Sequence, residues 1–486
     1  MFSENCPVPI PESPFSAPDF KFRVERKCNL KAVFWLFSLP FFFAVSASAQ
    51  TLNLKEALET GAANYPAIKA RQADVKSAGK KVSSARAAYI PDLNVQHQYT
   101  FGTGNNVVGP YYANNGTTIN PSGGDREENI YQGAFGSLST ALLEWDVFSF
   151  GKVKANIDAA KAEEKTVEMA YENELFQHQI RIADAYLLLL TNQRLKETQR
   201  QNLLRAEAFK KAITAATLSG LRAGVDSSLA NAELAKARIQ LLEAEKNERS
   251  QLYKLAELTG EVKELNIDSM AFFSRLPNPQ SHLHDDITQT PLLRLYSAQT
   301  ELSRRRATAI KRRFYPTFTL MGATWARGSG ISNKTGEYRT DFASGTQYQV
   351  YNYMVGAAVR WNITDFFQVR NDFQAENFQR QRHEYLYQEQ QLKLSRQLKE
   401  SDMQFQLSME QAKVAPLQLQ AAQAGFRQAQ SRYESGLTDL PTFTQSLVTL
   451  NRAETDRYIA YINAWRSLLL EAASTGDLSI FLNQVQ

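Results

Sequence analysis

The chain has 486 residues, enough for about two or three packed units. At 43% hydrophobic and 11% aromatic it can build a core, which excludes a disordered chain. The net charge of +5 is spread through a mixed-sign sequence with no dominant one-sign block, so nothing in the balance calls for nucleic acid.

The N-terminus has the layout of an export signal. Arg26, Lys27 and Lys31 precede an apolar run from Ala32 to Val45, and Ala47-Ser48-Ala49 follows as a small-x-small cleavage site. That run is 14 residues, short of the ~20 that a retained membrane helix needs. Cleavage after Ala49 and a mature chain beginning at Gln50 are expected. Both cysteines, Cys6 and Cys28, fall in the removed part, leaving no disulfide and no thiol catalysis in the mature chain. Cys28 also precedes the apolar run, whereas an acylated lipoprotein cysteine follows it. Beyond residue 49 no stretch approaches 18 apolar residues, so an exported chain reaches a membrane only as strands, or stays soluble.

Residues 54–88 are rich in Ala and Lys and read as helix, stopped by Pro91. Residues 93–101 then alternate. Leu93, Val95, Tyr99 and Phe101 share one face with His97 as its polar exception, and Asn94, Gln96, Gln98 and Thr100 take the other. A Gly- and Asn-rich loop from about Gly102 to Gly133 leads to a second strand ending at Trp145 and Val147. From about Phe150 to Ser219 nothing breaks a helix, which at 1.5 Å per residue is about 105 Å long. A shorter helix over 227–258 ends at Thr259-Gly260.

Residues 261–288 read as a linker. Its His282-x-His284 with Asp285 and Asp286 lacks the ligand count and spacing of a metal centre, so a surface role, no metal and no cofactor are expected. Arg304-Arg305-Arg306 and Lys311-Arg312-Arg313 put six cations into ten residues just before Pro316. A helix C-terminus, whose macrodipole favours cations, accounts for them; a phosphate of nucleic acid or lipid is the alternative.

Tyr351, Tyr353, Val355, Ala357, Val359, Trp361 and Ile363 occupy odd positions, with Asn352, Gly356, Arg360 and Asn362 between them. With an export signal and long loops at one end only, this period of two fits a transmembrane strand better than a soluble sandwich. Tyr351, Tyr353, Val355, Val359 and Trp361 are then its lipid-facing set. A second long helix runs from about Phe366 to Ser435 and contains Pro416, where a kink or a change in curvature is expected. In 443–475, Tyr458, Tyr461, Trp465, Leu468 and Ala472 recur at spacings of three and four, a coiled-coil seam or ordinary core.

The two halves repeat. Pro66 and Pro91 recur as Pro291 and Pro316, both 225 residues on. Trp145, Gly220-Leu221 and Thr259-Gly260 recur as Trp361, Gly436-Leu437 and Thr475-Gly476, all 216 residues on. So long a period is a duplicated domain rather than a solenoid. The reading is a leader over 1–49, a first repeat over 50–260, the linker over 261–288 and a second repeat over 289–486. Four strands cannot close a barrel, and an open sheet in lipid leaves unsatisfied edges. Barrels start at about eight strands, whose interior is already filled with side chains, so a conduit needs at least three copies, giving twelve strands. The helices 54–88 and 227–258 together match one long helix, as in a cylinder wall built of one continuous helix beside two stacked short ones.

Two halves of strand-loop-strand with long helical hairpins resemble the TolC-like outer-membrane efflux protein family over roughly Leu52 to Gly476. Arg432-Tyr433-Glu434-Ser435-Gly436-Leu437, followed by Leu440-Pro441, looks like the family's second helix-turn-helix tip. Its first-half counterpart is Gly220-Leu221-Arg222-Ala223-Gly224-Val225-Asp226, in which either Gly220 or Gly224 aligns with Gly436. The resemblance implies a fold that is mixed but mainly α: an α-helical coiled-coil barrel in the periplasm continuing a trimeric, 12-stranded transmembrane β-barrel. It also implies a homotrimer in the bacterial outer membrane, a periplasmic adaptor docking at Gly220, Leu221, Arg222, Gly224, Arg432, Tyr433, Gly436 and Leu437, and an inner-membrane RND or ABC transporter as energy source. Family members close the periplasmic end with acidic residues just before the second tip. Here that stretch reads Phe426-Arg427-Gln428-Ala429-Gln430, so Arg427 or Gln430 is expected at the constriction.

The expected function is a passive exit channel of a tripartite small-molecule efflux pump. The alternatives are the duct of a type I protein secretion system and a soluble periplasmic coiled-coil scaffold, which would lack strands. No Walker A, G-x-S-x-G or H-E-x-x-H run is present, and no enzyme activity is expected.

Overall fold

A computed structural model of the chain describes residues 52–105, 128–260, 270–278, 287–332 and 334–485. The expected leader and its cleavage site, most of the 102–133 loop and the His282/His284 pair lie outside the described residues.

The first half runs α1 (Leu54–Asn64), α2 (Pro66–Ala87), β1 (Asp92–Gly102), β2 (Ala134–Phe148), α3 (Lys152–Leu218) and α4 (Gly224–Thr259). A short α5 (Met270–Ser274) and a 3-10 turn (Ile287–Gln289) follow. The second half runs α6 (Pro291–Arg313), β3 (Thr317–Ser329), α7 (Phe342–Thr346), β4 (Val350–Arg360), α8 (Asp365–Glu434), α9 (Leu440–Thr475) and α10 (Ser479–Val485). The expected single helix over 54–88 is in fact two. Pro66 stands at the first position of α2, where its missing N–H costs nothing, and it holds Tyr65 extended at ψ 124°. By contrast α8 continues through Pro416 without interruption.

The duplication is preserved in three dimensions. The long helix α3 lies along α2 and α4, and α8 lies along α6 and α9. In each half the two short helices meet end to end at a glycine. A Cβ on Gly260 would stand 3.1 Å from the Asn64 Cβ at the α1–α2 break, and one on Gly476 would stand 2.9 Å from the Thr290 Cα that precedes α6. Helix α3 also lies along α6 and α9, which joins the halves into one layer with α2 and α4 at one flank and α8 at the other.

The main core sits where these junctions meet the middle of the long helices. Ile182, Tyr186, Leu187, Leu189 and Leu190 of α3 are buried there with Leu255 of α4 and with Trp465, Leu468 and Ala472 from the expected seam of α9. The Trp465 indole donates to the carbonyls of Phe272 (3.2 Å) and Arg275 (3.3 Å), fixing the linker segment against α9.

One antiparallel sheet has the order β1-β2-β3-β4. Its register places Leu93, Leu143, Gly322 and Val355 in one row and Asp92, Glu144, Met321 and Gly356 in the row beside it, facing the opposite way. Trp145 and Trp361 anchor the foot of the sheet to the helices. Each indole donates at 3.0 Å to a backbone carbonyl just past the preceding helix, that of Tyr89 or of Phe314.

Candidate functional site

The sheet leaves both faces open. On one, β1 and β4 present Leu93, Val95, Tyr99, Phe101, Tyr351, Tyr353, Val355 and Val359, all exposed, with Tyr353 at 85% and Val355 at 83%. The opposite face is mixed: it carries Asn94, Gln96, Thr100, Asn352 and Arg360, with Glu144 and Asp146 at its foot, and among them Leu142, Met321, Trp325 and Met354. There Arg360 donates to Glu144 at 2.6 Å and Thr319 to Asp146 at 2.7 Å. An exposed apolar face of this extent marks a surface that meets another protein or a membrane, and the charged and amide side chains are confined to the opposite face. Among the described residues no helix is long and apolar enough to cross a membrane.

Strand β4 ends at Arg360, so Trp361 stands just beyond it rather than within it as expected. It belongs to a belt of rings at the foot of the apolar face. Phe318, Phe148, Phe150, Tyr315, Phe314 and Trp361 follow one another with centroid separations of 6.2, 4.7, 6.0, 6.5 and 5.8 Å. Phe150, at φ +47°, and Gly151, at φ +81°, form the left-handed turn that carries the chain from β2 into α3.

His97, the polar exception of its face, has partners that the sequence pattern does not show. Its Nδ1 pairs with the Ser139 hydroxyl at 2.5 Å and lies 3.2 Å from the Tyr348 hydroxyl, which is supplied by the segment between β3 and β4. That segment's helix α7 packs on β2 and β3 at the end of the sheet away from the long helices.

At the other end of the long helices the two hairpin turns lie side by side. Gly220 and Gly436 take φ +74° and +72°. Behind them the N–H of Leu221 reaches the carbonyl of Ala216 at 2.9 Å, and that of Leu437 reaches Arg432 at 2.8 Å, the six-to-one bond of a Schellman turn. The aligned glycine is therefore Gly220. Gly224 is the first residue of α4 and has no positive φ.

Leu218, Leu221 and Leu437 project outward with 85%, 78% and 70% of their surface exposed, and Arg432 is exposed as well. Tyr433 is not on this surface: it is 5% exposed, against the expectation that it meets a partner. It stacks on Phe443 (5.5 Å) and packs against Phe209 (5.9 Å), and Arg222 covers it from the other tip. Arg427 and Gln430 are both exposed, and Gln430 donates to Glu434 at 3.0 Å.

The described residues contain no group of His, Cys, Asp and Glu able to hold a metal ion. His178, which the sequence reading did not single out, is fully buried at the α1–α2 junction, stacked on Tyr65 at 4.1 Å with its Nε2 donating to the Leu258 carbonyl at 3.0 Å. Desolvation, with the nearby Arg181 charge adding to it, holds its pKa below the ordinary imidazole value.

A family model described as outer membrane efflux protein matches residues 57–261 and 284–466. Three solved structures share the fold. The outer membrane protein VceC of Vibrio cholerae superposes with TM-score 0.68 at 17% identity, over 87% of this chain and 96% of that one. The CmeC outer membrane channel of Campylobacter jejuni does so with TM-score 0.68 at 13% identity, over 92% and 94%. CusC, described as forming a transmembrane channel, gives TM-score 0.72 at 11% identity, over 87% and 92%. No curated protein matches the sequence. The family and these neighbours are channel proteins, not enzymes. With well over half of its residues inside the family model, the chain belongs to the outer membrane efflux protein family.

Proposed function

We propose that three copies of this chain form a passive exit channel through the outer membrane, serving a tripartite pump that expels small molecules. The observation that carries this reading is the open sheet, apolar on one exposed face and carrying its charged and amide side chains on the other, with β1 and β4 as unpaired edges. Lipid tolerates no unpaired strand edge, and joining β4 of one copy to β1 of the next in a ring of three removes every edge. The helical layer ends on the same two sides. Its flanking helix α8 exposes Phe378, Tyr385 and Leu392 seven residues apart, then Leu407 and Val414, the repeat of an unfilled coiled-coil seam. On the opposite flank α4 exposes Leu229, Ile239, Leu242 and Tyr253.

In this arrangement the polar face lines the lumen and the tips hang farthest into the periplasm. There Gly220, Leu221, Arg222, Gly224, Arg432, Gly436 and Leu437 meet a periplasmic adaptor, with the buried Tyr433 supporting them from behind. Arg427 and Gln430 narrow the entrance, and an RND or ABC transporter in the inner membrane supplies the energy. The leader ends at Ala49, and the two repeats over 50–260 and 289–486 form the wall.

The test is drug accumulation in cells whose own copy is deleted and replaced by wild type or by Gly436→Trp. The variant should still assemble as the oligomer, since the strain of about 1–2 kcal/mol at the turn is local, and should accumulate drug as the deletion does. Wild-type efflux in that variant would remove the docking role of the tip.

A further inference from the structure

We propose that Arg312 and Lys152, at the foot of the sheet, form a binding site for the phosphate headgroup of an anionic phospholipid. The inference rests on the membrane reading above and names the lipid that the periplasmic end of the barrel selects.

The aromatic belt marks a depth. Rings of this kind settle at the level of lipid headgroups, and the belt lies on the apolar side of the sheet, since Phe148 pairs in register with Phe318 and Phe318 with Val359. Arg312 caps that belt. Its guanidinium lies 5.3 Å from the Tyr315 ring centroid, and its Nη1 donates to the Phe150 carbonyl at 3.3 Å. Lys152 opens α3 two residues beyond Phe150, on the same turn. Helix α6, which carries Arg312, lies between α3 and α8 in the interior of the layer, so the site stays open when copies join edge to edge.

Five of the neighbouring cations are engaged, while Lys80, Arg86, Lys154, Lys311 and Arg370 join no ion pair among the described residues and add to the positive field around Arg312 and Lys152. Arg304 and Arg305 both bond Glu301, whose carboxyl is held down to about 2, chiefly by Arg304. Arg306 and Lys81 bond Glu163, and Arg313 bonds Asp372. Among the described residues no carboxylate pairs with Arg312 or Lys152. The segments that meet the sheet, 80–91, 150–160, 304–316 and 362–372, hold twelve cations and three acids. A helix C-terminus accounts for cations in the last turn of α6. It does not account for Arg312 turning onto the lipid-side rings, nor for Lys152 at the start of another helix. Two unneutralised cations beside an interfacial belt favour a net negative headgroup over a zwitterionic one.

The experiment is native mass spectrometry of the detergent-extracted assembly, titrated with phosphatidylglycerol and with phosphatidylethanolamine of identical acyl chains. Wild type should retain phosphatidylglycerol in preference. Each of Arg312→Gln and Lys152→Gln should weaken that retention about fivefold, while Arg312→Lys and Arg304→Gln should keep it. Inorganic phosphate at millimolar concentration should leave the bound lipid in place. Equal retention of the two lipids, undiminished retention in the double variant, or displacement by inorganic phosphate would each overturn the site. Recovery of the same preparation from the outer membrane, checked first, separates the two levels: soluble recovery removes both the channel reading and the site, whereas membrane recovery without lipid preference removes the site alone.

Discussion

The Arg222 guanidinium lies 4.4 Å from the centre of the Tyr433 ring and donates to the Tyr433 carbonyl at 2.6 Å, tying the tip of the first half to that of the second. The carbonyl belongs to the last turn of α8, where backbone acceptors lack helical partners. Replacing Arg222 with Ala removes a charge-assisted bond and a cation–π contact, together about 1–2 kcal/mol. Amide exchange over 216–226 and 430–440 should quicken by roughly 5–30-fold, with no change in the core around Trp465.

The three tip glycines should separate cleanly. Gly220→Ala and Gly436→Ala place a Cβ at positive φ and should each cost about 1–2 kcal/mol. Gly224→Ala, at ordinary φ with open space around it, should be neutral or stabilising by about 0.4–1 kcal/mol. Thermal unfolding of the three variants, followed by circular dichroism, checks the order.

His178 gives a pH dependence of known sign. Its folded pKa lies below the free value of 6.5 because burial disfavours the imidazolium. The unfolded chain therefore binds the proton more readily, so the stability from neutral His178 is fully present above pH 6.5 and is lost as pH falls below it. His178→Gln should flatten the difference in melting temperature between pH 8 and pH 5; an equal slope in the variant would assign that dependence to other groups.

Trp145→Phe and Trp361→Phe keep an aromatic ring at each position and remove one hydrogen bond each. Each should cost about 1 kcal/mol, by a similar amount since the bonds are equivalent. The temperature at which the oligomer dissociates on a gel reports it.

Much of this architecture was legible in the sequence because its signals are periodic and occur twice. The long helices fall within two residues of the bounds expected from the absence of breakers, 150–219 against Lys152–Leu218 and 366–435 against Asp365–Glu434. Other features depend on distant partners. The sequence reads as one helix over 54–88, whereas the chain breaks before Pro66 and Gly260 packs against that break. His97 looked misplaced because its partner Tyr348 lies 251 residues away. Tyr433 sits in a motif that suggests a surface, yet it is buried by Phe443 and by Arg222 of the other repeat. The alternation from Tyr351 passes through Trp361 without a break, whereas the ladder stops at the Thr317–Arg360 pair because Pro316, next on the partner strand, has no N–H to donate.

The closure of three copies into one ring is tested most directly by separating membranes and running the outer-membrane fraction on a denaturing gel, unheated and boiled. A heat-sensitive band near three times the monomer mass, collapsing to the monomer on boiling, is the predicted result. Recovery as a soluble periplasmic monomer would contradict the channel.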